Sequence, residues 1–133
     1  MIMQFYKLTP EEQRLLYKAP VLISVFASCF CAKQKRPNAE AIRSAYLKTF
    51  TVNPLLLPYY SEIEKRFIGL FESAIKQYFP FAEPMRLSLS REMARANQAI
   101  GKLDQEYAQA LHQSLERYEN HVKRTIDTVC ADM

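Results

Sequence analysis

The chain has 133 residues, 49% of them hydrophobic and 24% charged, with a net charge of +4 from 18 basic and 14 acidic side chains. That composition excludes a disordered chain, and the length fits one domain, residues 1–133, able to bury a core without disulfides or a structural metal. Only two glycines occur, Gly69 and Gly101, which removes the positive-φ positions that hairpins and phosphate loops use.

Thr9-Pro10-Glu11-Glu12 has the form of a helix start. Thr9 caps, Pro10 takes the first helical position and Glu12 closes a capping box. The pattern predicts a short helix from Pro10 to Lys18, with Leu15 and Leu16 inward. Pro20 then opens a new helix at its own first position. Val21 to Cys31 is apolar nearly all round, the mark of a central helix buried on most sides. The uncharged run from Ala19 to Ala32 is 14 residues long, short of the ~20 that span a bilayer. Phe26-Ala27-Ser28-Cys29 resembles a lipoprotein cleavage box. A capped helix in place of a basic opening, and Pro20 near the start of the apolar run, fit a signal peptide poorly. Three cysteines cannot all pair within one chain, and a sparse odd set suits a reducing compartment. A cytoplasmic location is the expectation.

Asn38 is placed to cap a third helix reaching Thr49 or Phe50, with Ile42, Ala45 and Tyr46 on its inner face. Asn53, Pro54 and Pro58 mark the next connection. A long amphipathic helix follows, its stripe formed by Ile63, Phe67, Leu70, Phe71, Ala74, Ile75 and Tyr78. Gly69 inside it weakens the helix by about 1 kcal/mol relative to alanine, and close approach of a neighbouring helix would account for it. Pro80 and Pro84 bracket a further turn. A fifth helix carries Leu89, Met93, Ala96, Ile100 and Leu103 across Gly101. Leu103-Asp104 forms a tight junction, and Asp104 caps a last helix with Tyr107, Leu111, Leu115, Tyr118, Val122, Ile126 and Val129 as its seam. No segment alternates as a strand would. The expected architecture is all-α, one bundle of five to six helices.

Two stretches carry a family resemblance. The first is Leu16-Tyr17-Lys18-Ala19-Pro20 with the buried helix to Ala32. The second is Leu89, Asn97, Ile100, Leu103-Asp104, Glu106, Leu111, Ser114-Leu115 and Val122, with Tyr59-Tyr60 suited to the start of a central helix. Together they resemble the tellurite-resistance TerB-like family of small all-helical bacterial domains. The resemblance implies that fold and, by the family name alone, a stress setting. The family often ends the buried helix in an acidic Asp-Gly turn suited to a hard cation. Here Cys31-Ala32 stands in that place, and Lys33, Lys35 and Arg36 replace the acidic residues, leaving Glu40 as the nearby carboxylate. Three cations beside one carboxylate repel a divalent ion, so the metal role is not carried over.

Cys29 and Cys31 are the sharpest candidates for chemistry. Thiolates suit zinc, copper(I) or redox chemistry, and the neighbouring cations lower a thiol pKa. Two positions apart on a helix is about 200°, so the sulfurs converge only if the helix unwinds by Cys31. No Cys-x-x-Cys is present, and Cys130 would have to come from the far end of the chain. Packing is the plainer role for a free cysteine. His112 and His121 are nine residues apart, about 900° around a helix, and cannot share a metal. His112 with Glu116 is an i, i+4 pair, half of a site at most.

Neither Gly-x-Ser-x-Gly, a Gly-rich phosphate loop nor His-Glu-x-x-His occurs, so no enzyme and no cofactor is expected. Arg91, Arg95, Gln98 and Lys102 form a largely basic stripe. With Lys33, Lys35 and Arg36 it is the expected surface for an unidentified protein partner. Nucleic acid is disfavoured, because the charge is modest and the aromatics lie on core stripes. A homo-oligomer is common for such domains, but no exposed heptad seam specifies one. The leading expectation is a non-enzymatic helical interaction module. The alternative is a thiol-based sensor or soft-metal binder using Cys29 and Cys31.

Overall fold

The computed structural model describes residues 3–28, 54–78 and 82–132. Among them the chain is an all-α bundle with no strand. A 3-10 turn, Met3–Lys7, leads into α1 (Pro10–Ser28). A second 3-10 turn, Pro54–Leu56, precedes α2 (Leu57–Tyr78), followed by α3 (Glu83–Ile100) and α4 (Gln105–Asp132). The third helix expected from Asn38, Pro80, and the Cys29–Arg36 stretch lie outside the described residues.

The start of α1 follows from four local residues. The Thr9 amide donates to Glu12 Oε1 at 2.9 Å, and the Glu12 amide donates to Thr9 Oγ1 at 3.1 Å. This reciprocal capping box satisfies two otherwise orphaned groups. Gln13 folds back to donate to the Phe5 and Leu8 carbonyls at 3.0 and 3.2 Å, fastening the preceding turn.

Pro20 does not divide two helices; α1 runs unbroken from Pro10 to Ser28. A proline inside a helix removes the amide that would bond the carbonyl four residues earlier, here Leu16. The Tyr59 hydroxyl of α2 supplies the missing donor, 2.6 Å from the Leu16 oxygen.

Downstream of Pro20, every described side chain from Val21 to Ala27 is buried except the half-buried Phe26. This is the outcome all-round apolarity predicts. α2, α3 and α4 each pack more extensively on α1 than on one another, so α1 is the hub of the bundle.

The expected inner stripe of α2 is buried, apart from the half-buried Leu70. Phe67 and Phe71 stack at 5.9 Å, and Phe5 meets Tyr17 and Tyr59 edge-on at 5.3 and 6.2 Å. Gly69 departs from expectation. It is exposed, and a Cβ placed there meets nothing within 4 Å among the described residues, so helix contact does not explain it.

α3 ends at Ile100, earlier than the stripe through Leu103 suggested. Gly101 retains right-handed geometry at φ −62°, and Lys102 and Leu103 donate to the Ala99 and Ile100 carbonyls at 3.1 and 3.0 Å. Leu103 is still buried. Asp104 directly precedes α4 and accepts the Ala108 amide at 2.8 Å, the position expected of a cap.

Candidate functional site

Three of the four described helices frame a groove. α1 contributes Ala19, Leu22 and Ile23 to its floor, and α3 adds Met93, Ala96 and Ile100. Two alanines at this crossing leave a recess where larger side chains would fill the space. α4 closes the third side with Leu115. The cavity holds about 180 Å³. Its rim is polar: Asn97 on α3, and His112, Glu116 and Glu119 on α4. Glu119 pairs with Lys123 one turn on, at 3.0 Å.

The interior polar groups are matched to one another. Ser24 Oγ donates to the Pro20 carbonyl at 2.8 Å and lies 2.6 Å from the Tyr118 hydroxyl. Tyr60 and Ser114 form a second buried hydroxyl pair. Ser24 and Ser114 are the buried polar residues of the described core. Burial pushes the Tyr60 phenol up to about 12, and the Ser114 hydrogen bond offsets only part of this. It also pushes Tyr107 up to about 12 and Tyr118 higher still. Burial favours the neutral form of all three phenols, and Tyr60 and Tyr118 serve as hydrogen-bonding structural groups.

The basic stripe expected to meet a partner is largely engaged inside the molecule. Arg95 pairs with Glu11 of α1 and with Glu92 at 3.2 Å, and these carboxylates hold the guanidinium pKa above its usual range, Glu11 first. Lys102 reaches Glu12 at 2.5 Å. That contact first, and the Thr9 amide second, keep the Glu12 carboxyl below the usual carboxylate range. Lys7 pairs with Asp104. The three contacts tie the start of α1 and its preceding turn to α3 and to the junction before α4. Arg91 is exposed and has no recorded ion pair among the described residues.

Cys29, Cys31, Lys33, Lys35 and Arg36 lie outside the described residues, and of Cys130 only the backbone, within α4, is described. His112 and Glu116 border the same groove, a relation their i, i+4 spacing allowed. Asn97 and Glu119 were not singled out as rim residues, nor Ala19 and Ala96 as the gap. The small residues were the available signal, but only a three-helix crossing makes a recess of them. Among the described residues no group of three His, Cys, Asp or Glu side chains gathers to hold a metal ion. No described helix is long and apolar enough to cross a membrane. No family model, curated protein or solved structure matches the chain.

Proposed function

We propose that this chain is a non-enzymatic helical interaction module that works by protein contact, in keeping with its resemblance to the TerB-like family. The supporting observation is the groove between α1, α3 and α4, an apolar floor bordered by polar side chains. Apolar pockets with a few convergent polar groups are the usual form of a binding site. Arg95 and Lys102 are committed to Glu11 and Glu12, which moves the favoured contact surface from the basic stripe to the groove.

The test is photo-crosslinking in the native host with a benzophenone amino acid at Asn97, on the rim. The same probe at the exposed Gln113, outside the groove lining, is the control. The expected result is a discrete protein adduct from position 97 and none from 113. Equal labelling from both, or none from either, would count against the reading.

A further inference from the structure

The groove differs in charge from the molecule that carries it. The chain is +4 overall, yet the described lining holds two carboxylates, Glu116 and Glu119, and no lysine or arginine. Lys123 neutralises Glu119. Glu116 is exposed and has no ion pair among the described residues, so it is the uncompensated charge of the described rim.

Size narrows the occupant. A volume of about 180 Å³ is close to the ~150 Å³ cavity that accepts one benzene. The recess therefore admits one leucine, methionine or phenylalanine side chain, and a whole helix must stay outside it. Asn97 on the rim offers both an amide donor and a carbonyl acceptor. Those groups complement a peptide backbone, which favours a polypeptide over a simple amphipathic amine.

We infer that the groove seats a basic amphipathic segment of a partner protein. One large apolar side chain enters between Ala19 and Ala96, and a lysine or arginine about one helical turn away pairs with Glu116. This inference rests on the interaction-module reading and adds the chemistry of the partner to it.

The test is titration of the isotope-labelled full chain with capped twelve-residue peptides, followed by amide chemical shifts. One peptide has a central leucine flanked by lysines a turn away on each side, a second replaces the lysines with glutamates, and a third replaces the leucine with alanine. The lysine–leucine peptide should shift Asn97 and His112 and bind about fivefold more tightly than the glutamate peptide, as an exposed ion pair permits. Alanine in place of leucine should abolish saturation. Glu116→Lys, an exposed substitution whose fold is checked by its melting curve, should reverse the preference.

Equal affinity for both flanked peptides, an unchanged preference in Glu116→Lys, shifts centred away from the groove, or no shift at millimolar peptide would each overturn the inference. The crosslinking result separates the two levels. A persistent Asn97 adduct alongside any of these outcomes leaves the module reading standing and removes only the basic-segment chemistry.

Discussion

The Tyr59 hydroxyl lies 2.6 Å from the Leu16 carbonyl, the oxygen four residues before Pro20 that lacks its usual helical amide donor. Both residues are fully buried, so water cannot take over the bond. A buried acceptor stripped of its donor costs about 1–3 kcal/mol. Tyr59→Phe should therefore lower unfolding stability by that amount in a urea titration. Pro20→Ala restores an amide to the same carbonyl, so it should raise stability more in the Tyr59→Phe background than in the wild type. Equal effects in the two backgrounds would show that the hydroxyl and the proline are not coupled.

Alkaline pH should unfold the protein through its buried phenols. Tyr60 and Tyr107 are raised to about 12, and Tyr118 is raised further, burial being the first cause for all three. In the unfolded chain each titrates near the ordinary tyrosine value of about 10. Between those values the unfolded state holds fewer protons than the folded state, so stability falls as pH rises. The contribution is fully present below about pH 10 and declines by roughly 1.4 kcal/mol per pH unit for each tyrosine. Tyrosinate absorbance should thus show a late, cooperative phase coincident with loss of helical circular dichroism. Tyr118→Phe should make the stability decline shallower. Titration of all eight tyrosines in one smooth phase with helicity intact would contradict this.

Gly69 offers a simple gain. It lies exposed within α2 with open space where a Cβ would go. Gly69→Ala removes glycine's excess unfolded-state freedom and should stabilise the chain by about 0.5–1 kcal/mol. Differential scanning calorimetry should register a higher midpoint. A lower midpoint would mean that the position is more crowded than its surroundings indicate.

Some of this architecture was legible one residue at a time. The capping box at Thr9 and Glu12, the buried stripe of α2 and the seam of α4 through Val122 all fell where the sequence pattern put them. The unbroken path of α1 through Pro20 did not, nor did the fate of Arg95 and Lys102. A basic stripe read on its own helix looks free, because the carboxylates that engage it, Glu11 and Glu12, lie 84 and 90 residues away in the chain. The groove was hidden for the same reason: Ala19 and Ala96 look like ordinary helix formers until their helices cross.

Local sequence was enough for the helices that depend on neighbours within four residues, because capping and amphipathic periodicity act over a single turn. Long-range packing placed Pro20 inside a helix, since the compensating donor comes from Tyr59, 43 residues beyond Leu16. Packing likewise set where an apolar recess would meet the exposed Glu116 carboxylate, because a cavity belongs to the crossing of three helices and to no one of them.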